Sequence, residues 1–155
     1  MRSVIVVLSI LAASATAHAD EREEASRWLQ GAAGVELGLT GVGLGLGVRV
    51  RWVELGLVGQ IQPFATHSLV GLKLLATPTW AASPYAYGRL GSWKGESKYD
   101  ESDDGRYGSF GVGLDVHLGT HGFFFLELGT GAQHSNTQGV NDTQVDARFG
   151  VGARI

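Results

Sequence analysis

The stretch Gly41–Trp52, GVGLGLGVRVRW, alternates strictly between two kinds of side chain. Even-numbered positions are bulky and apolar, whereas odd-numbered positions hold glycine up to Gly47 and then Arg49 and Arg51. A repeat of two residues is typical of a β-strand, whose successive side chains point to opposite faces, and not of a helix, which repeats every ~3.6 residues. The stretch therefore predicts a strand with one apolar face and one face of glycines and charges.

The alternation changes phase directly after Trp52, where Val53, Leu55 and Leu57 become the apolar set. A single strand from residue 41 to residue 62 would be about 70 Å long at ~3.3 Å per residue. Even a strand that crosses a lipid bilayer needs only ~9–11 residues. We therefore predict a tight turn at Arg51–Glu54 between two strands.

The same repeat extends over most of the chain and predicts eight strands. Their bounds are Gly31–Leu39, Gly41 to the turn, the turn to Gln62, Leu69–Ala76, Pro84–Trp93, Tyr107–Leu118, Phe123–Gln133 and Thr143–Ile155. The predicted connections are Thr40-Gly41, the turn above, Pro63–Ser68, Thr77–Ser83, Lys94–Arg106, Gly119–Gly122 and His134–Asp142. The odd-numbered connections are mostly longer and more polar, an asymmetry typical of barrels in bacterial outer membranes. The fold class we predict is all-β: an eight-stranded antiparallel up-and-down transmembrane β-barrel.

The non-apolar face of these strands carries acids and bases in similar number. They are Glu36, Arg49, Arg51, Glu54, Lys73, Arg89, Asp115, His117, Glu127, Asp146, Arg148 and Arg154. The interior of an eight-stranded barrel is just wide enough to be filled by side chains. Because an unpaired charge is costly there, we predict an interior plugged by ion pairs, with the apolar face toward lipid. Strand 5 is ambiguous, since Tyr85, Tyr87 and Trp93 share the face of Arg89 and would suit lipid; we assign Arg89 to the lumen.

The N-terminus predicts export from the cytoplasm. Arg2, the apolar run Val4–Ala13 and the small-x-small triplet Ala17-His18-Ala19 together resemble a secretory signal peptide at residues 1–19. The run is too short for a helix that spans a bilayer. Residues 20–30 would form a short periplasmic arm, and residues 31–155 the barrel.

Composition excludes several classes of function. The 155 residues include 24 glycines, about twice the usual share, and no cysteine, which excludes disulfides and thiolate chemistry. A net charge of −3 weighs against a nucleic-acid partner. The segment Asp100–Gly105, which contains the acids Asp100, Glu101, Asp103 and Asp104, resembles the start of a calcium loop, with oxygen-bearing side chains at positions 1, 3 and 5 and glycine at position 6. Its twelfth position, however, is Gly111 and not glutamate. We predict a solvated surface loop, no metal and no cofactor.

The mature chain resembles the small eight-stranded outer-membrane barrels of the OmpA/OmpX-like, porin-family type. The resemblance rests on Pro84–Gly88 (PYAYG), on Gly111–Val116 (GVGLDV) and on the last strand, which is similar to the assembly signal of such barrels. The signal positions are Arg148, Gly150, Ala153 and Ile155. The family usually ends in an aromatic residue, and this chain ends in isoleucine. The resemblance implies a monomer in the outer membrane of a Gram-negative-type bacterium. Its partners would be outer-membrane lipid, lipopolysaccharide and the barrel-assembly machinery, and its role structural or surface-interacting, without catalysis.

Two alternatives remain open. His134-Ser135-Asn136 resembles the His-x-Ser-Asn region of outer-membrane lipid A deacylases, and Asp146 could complete a triad with His134 and Ser135. Adjacent residues of a strand point to opposite faces, however, which separates the histidine from the serine. The other alternative is a soluble, secreted, lipocalin-like binding barrel, which would place the apolar residues inside and the charges outside.

Overall fold

A computed structural model describes residues 29–39, 41–78, 80–96, 102–136, 139 and 141–155. The predicted signal segment, most of the predicted arm, and Asp100 and Glu101 of the acidic loop lie outside these residues. Eight strands are present in the described part of the chain. They are β1 (Gln30–Gly38), β2 (Val42–Val50), β3 (Val53–Gln62), β4 (Ala65–Leu75), β5 (Ala82–Glu96), β6 (Ser102–Leu118), β7 (Gly122–Ser135) and β8 (Asn141–Arg154).

The strands form one closed barrel in chain order. Each strand is antiparallel to its neighbours, and β1 pairs with β8 from Ala32↔Arg154 to Gly38↔Arg148. This confirms the predicted eight-stranded up-and-down fold. No helix in the described part of the chain is long and apolar enough to cross a membrane.

Three predicted loops are wrong in extent. The loop at Pro63–Ser68 is a two-residue turn, and residues 65–68 belong to β4. The loop at Lys94–Arg106 shrinks because β5 continues to residue 96 and β6 begins at residue 102. The loop at His134–Asp142 likewise loses residues to β7 and β8. In all three places polar side chains conceal the alternation, while the backbone still pairs, as at Trp93↔Gly105 and His134↔Asn141.

Arg51 is the one predicted lumen residue that the structure places outside. β2 and β3 are joined by the two-residue turn Arg51-Trp52, and the last inward pair across this hairpin is Arg49↔Glu54. Arg51 therefore lies beyond the pleat, and its side chain is exposed with a φ of 51°. The sequence alternation continues to Trp52, but the strand ends at Val50, so the parity that places Arg49 inside no longer applies to Arg51.

The two faces of the barrel wall are chemically opposite. Outward side chains are apolar and exposed, as at Leu44 (67% exposed), Leu90 (73%) and Phe110 (67%). Inward side chains include the most buried charges of the described chain, Asp115 and Glu127, each only 1% exposed. The core of this barrel is therefore polar, and its surface is apolar.

Candidate functional site

The inward charges fall into clusters along the barrel axis. We call the end where β1 begins and β8 ends the terminal end, and the end with the 39–41, 63–64, 97–101 and 136–140 connections the loop end. At the terminal end Arg154 pairs with Asp115, its Nη1 lying 3.2 Å from Oδ1, and its Nη2 lies 3.5 Å from Glu54 Oε2. Arg49 Nη1 lies 3.8 Å from Asp115 Oδ2, and its Nη2 donates to the carbonyl oxygen of Pro78 at 2.8 Å. The 76–81 connection is thus bonded to the floor of the interior.

Glu127 is the centre of the middle cluster. Its carboxylate accepts a hydrogen bond from Arg89 Nη2 at 2.5 Å and another from Tyr85 Oη at 3.0 Å. Lys73 Nζ lies 3.4 Å from Glu127 and 3.6 Å from Glu54, which connects this cluster to the terminal one. The same ammonium lies 4.5 Å from the centre of the Phe125 ring, a cation–π distance. Each charge of the cluster therefore has an opposite charge within 4 Å.

A third cluster extends toward the loop end around Glu36. Both Arg89 and Arg148 contact this carboxylate, at 3.3 Å and 3.0 Å. Arg148 Nε also donates to Asp146 Oδ1 at 2.6 Å, and its Nη2 donates to Tyr107 Oη at 3.2 Å. Because Arg89 contacts both Glu36 and Glu127, the ion pairs form one connected chain through the interior.

His117 lies near the terminal end of the interior. It is half-buried, at an inward position beside Phe123. Its backbone nitrogen donates to the carbonyl oxygen of Ala81. With the exception of Arg51, all the charged residues assigned to the lumen by the alternation occupy inward positions.

The tyrosines of the interior were not recognised from the sequence as part of this network. Tyr85 and Tyr87 are each 4% exposed and face inward with Arg89. Tyr87 Oη donates to Asp146 Oδ2 at 3.2 Å, as Tyr85 does to Glu127. Their shared parity with Arg89 and Ser83 was the available signal, but an aromatic ring alone is compatible with either lipid or lumen.

A cluster of aliphatic and aromatic side chains lies toward the loop end of the interior. Leu69, Trp93 and Tyr107 pack together as one buried cluster. Above it Ser135 Oγ donates to Asp103, at 2.9 and 2.8 Å from its two carboxylate oxygens. Asp103 was predicted in a solvated loop and is instead a buried residue of β6, because β6 begins five residues earlier than the apolar pattern indicated. Asp104, the next residue, faces outward and is exposed, as predicted.

The three residues of the alternative triad have separate partners. His134 is exposed on the outer wall, and its Nδ1 is 2.8 Å from Asn141 Oδ1. Ser135 faces inward and bonds to Asp103, while Asp146 bonds to Arg148 and Tyr87. The structure therefore does not bring the histidine, the serine and the aspartate together.

The residues of the assembly-like motif lie along β8. Arg148 and Gly150 face inward, whereas Ala153 and Ile155 are exposed. Ile155 continues the pairing beyond the end of β8, because its backbone N and O exchange hydrogen bonds with Gly31 at 2.9 and 2.8 Å. The motif therefore lies on the strand that closes the barrel against β1.

No group of three or more His, Asp or Glu side chains within the described ranges is arranged to hold a metal ion. The inward carboxylates of the clusters above have arginine, lysine or tyrosine partners, which is the arrangement of an ion-paired core.

No protein-family model matches the chain, and no curated protein matches it in sequence. In fold, the chain is similar to the N-terminal β-barrel domain of Pseudomonas aeruginosa OprF. The match has a TM-score of 0.60 at 18% identity and covers 82% of this chain and 96% of that domain. At 18% identity the similarity shows a shared architecture and does not assign a role to any residue.

Proposed function

We propose that this protein is an integral outer-membrane β-barrel with a structural or surface-interaction role and no catalytic activity. The observation that carries the proposal is the inversion of the wall, with apolar side chains outside and charges inside. A soluble barrel of the lipocalin-like type would have the opposite arrangement, since monomeric soluble proteins rarely expose a large contiguous apolar surface. In a lipid bilayer the same surface is buried.

The dimensions of the wall support this environment. Strands β1 to β4 contain 9 to 11 residues each, the length that a tilted strand needs to cross a bilayer. Closure matters as well, because a barrel without an edge satisfies every backbone group inside hydrocarbon. The likeness to a barrel domain of OprF agrees with this architecture.

The interior supports a structural role rather than transport. The chain of ion pairs from Arg154 to Arg148 runs through the interior, and the buried cluster of Leu69, Trp93 and Tyr107 lies toward the loop end. We therefore infer a plugged monomer whose loop end faces the cell exterior. Its partners would be outer-membrane lipid and lipopolysaccharide, and the barrel-assembly machinery during insertion.

The test combines cell fractionation with one matched pair of variants. The mature protein should be recovered with the outer membrane and should migrate differently on a gel when it is not boiled. Leu46 lies in the middle of β2 and is 65% exposed, whereas Trp52 is 53% exposed in the turn at the terminal end. Leu46→Arg should reduce insertion, at a cost of about 2–4 kcal/mol, while Trp52→Arg should have little effect.

Two outcomes contradict the proposal. One is recovery of the wild-type protein in the soluble periplasmic fraction. The other is a Leu46→Arg variant that folds and fractionates like the wild type, because an apolar wall that tolerates a central arginine is not in contact with lipid. For the absence of catalysis, the check is mass spectrometry of lipid A from cells that express the protein. Loss of an acyl chain that depends on Ser135, tested with Ser135→Ala, would show an enzyme.

A further inference from the structure

The outward strand positions are uncharged except in one place. Among strand residues whose side chains are described, the outward positions hold three charged groups, Lys94, Asp104 and Arg106, all near the loop end of β5 and β6. Lys94 and Asp104 occupy paired positions, and the Asp104 carboxylate accepts a hydrogen bond from Asn136 Nδ2 at 3.1 Å. Two cations and one acid make this patch of the wall positive.

The next outward row of the wall is polar as well. Ser92 pairs with Arg106, Arg106 with His134, and His134 with Asn141, so these four side chains form a band across β5 to β8. Ser68 and Thr66 of β4 extend the band by one strand, because they pair with Ser92 and Lys94. The outward positions of β1 to β3 hold apolar residues or glycine up to the loop end. The polar band is therefore local to one side of the barrel and is not a ring around it.

A groove lies in the apolar wall directly below this band. It is lined by Leu90, Gly108, Phe110, Thr130, Ala132 and Thr143. The side chains of Leu90 and Phe110 protrude on its sides and are 73% and 67% exposed. At the base of the groove Gly88 has no side chain, and the one atom within 4 Å of an added Cβ would be the carbonyl oxygen of Ser109, at 4.0 Å. The groove therefore lies between bulky apolar side chains, a surrounding that suits a hydrocarbon chain.

The groove and the cations are adjacent on the same strands. Arg106 is the next outward residue after Gly108 on β6, and His134 is the next after Ala132 on β7. Two residues of a strand cover about 7 Å, which is less than the length of a lipid headgroup with its glycerol or sugar. An acyl chain in the groove would therefore place its headgroup beside Arg106 and Lys94.

We propose that this side of the barrel is a binding site for a phosphate-bearing lipid, with an acyl chain in the groove and the phosphate at Arg106 and Lys94. This proposal rests on the proposed membrane location and specifies a lipid that would bind to the outer wall. Charge complementarity selects the headgroup, since arginine binds phosphate through paired N–H donors and lysine as a point charge. Free phosphate would not occupy the groove. A zwitterionic headgroup carries no net negative charge to balance Lys94 and Arg106.

The experiment uses the folded full mature chain in a neutral detergent, with native mass spectrometry as the readout. Phosphatidic acid and phosphatidylcholine with identical acyl chains are the two probes, and inorganic phosphate is a competitor. We expect phosphatidic acid to bind about tenfold more tightly, from two cations near the headgroup. The double variant Lys94→Gln/Arg106→Gln should lose this preference.

Two further variants separate the site from general effects. Arg51→Gln removes an exposed arginine at the opposite end of the barrel, so it should keep the preference. Gly88→Leu fills the groove floor and should weaken the binding of both lipids. Folding of every variant is checked by the gel shift on heating, so that a variant that does not fold is not counted as a loss of binding.

Three outcomes would overturn the inference. Lys94→Gln/Arg106→Gln could retain the preference, Arg51→Gln could lose as much of it, or inorganic phosphate could displace the lipid completely, which would indicate a free-phosphate site. Each of these leaves insertion into the membrane intact. Failure of the proposed function is recognised separately, by a wild-type protein that is soluble without detergent.

Discussion

The two halves of the barrel wall enclose the same interior in different ways. In β5 to β8 aromatic rings lie over glycines at paired positions of the neighbouring strand. The pairs are Tyr85 over Gly113, Trp93 over Gly105, Phe125 over Gly150 and Phe123 over Gly152. In β1 to β3 glycine faces glycine, as at Gly34↔Gly45 and Gly47↔Gly56. The aromatic half thus fills its share of the lumen with rings, while the glycine half contributes little side-chain volume.

A space remains beside the glycine pairs of β1 to β3. A cavity of about 60 Å³ lies against Ala32, Gly34, Gly45, Gly47 and Gly56 and is bordered on its far side by Glu36, Glu54, Lys73 and Arg89. A cavity of this size has room for several water molecules, although its lining is mostly apolar apart from these four charged side chains. Inward glycine therefore has two roles in this protein. In one half it makes room for a ring, and in the other it leaves room beside the charges.

The largest effect is expected from the charge that joins the two halves. Glu127 belongs to β7 and takes its cationic partners Arg89 and Lys73 from β5 and β4. Glu127→Ala leaves both cations buried with one partner fewer, which should lower the free energy of unfolding by about 3–5 kcal/mol. The measurement is urea unfolding of the detergent-folded barrel, followed by tryptophan fluorescence.

The control for this change is another carboxylate of the wall. Asp142 is exposed at the start of β8, so Asp142→Ala should change stability by less than about 0.5 kcal/mol. Equal stability of Glu127→Ala and the wild type would mean that the interior charges do not hold the halves together.

The comparison of halves is tested directly by two identical substitutions at inward glycines. A Cβ at Gly113 would lie 2.7 Å from Tyr85 Oη and Cε2, and this ring is fixed by its hydrogen bond to Glu127. At Gly45 the nearest side-chain atom would be Val58 Cγ2, at an ordinary contact distance of 3.7 Å. Gly113→Ala should therefore cost about 1–3 kcal/mol through overpacking.

Gly45→Ala should be neutral or stabilising by about 0.4–1 kcal/mol, since alanine restricts the unfolded chain. Both variants are measured by the same urea titration. If the two substitutions cost the same, the glycines of the two halves are equivalent, and the comparison above is wrong.

How much of this could be read from the sequence depends on how hydropathy alternates. Over residues 42–57 apolar residues alternate with glycines or charges, with one change of phase at the turn, so that the two strands and the inward charges Arg49 and Glu54 follow from parity. At the loop end the outward side chains become polar, so the alternation no longer marks the strand, although the backbone pairing continues. Asp103 and Ser135 were therefore assigned to loops, whereas they bond to each other inside the barrel.

The aromatic half was harder to predict for a different reason. Tyrosine is stable at a membrane surface and inside a polar lumen, so parity alone could not assign Tyr85 and Tyr87 to a face. Their register against glycine settles the choice, because Tyr85 pairs with Gly113 and Tyr87 with Gly111. That register is a property of two strands together and is not visible within either one.

A smaller effect than that of Gly113→Ala is expected in the turn between β2 and β3. Arg51 has a φ of 51°, a left-handed conformation that glycine adopts freely and arginine does not. Arg51→Gly should raise the free energy of unfolding by about 1 kcal/mol. Its neighbour Trp52 does not have a positive φ, so Trp52→Gly should be destabilising through the greater freedom of the unfolded chain. Opposite signs for these two neighbours, from the same urea titration, would show that the backbone of this turn favours glycine at position 51 and not at position 52. Changes of the same sign in the free energy of unfolding of the two variants would contradict the turn geometry.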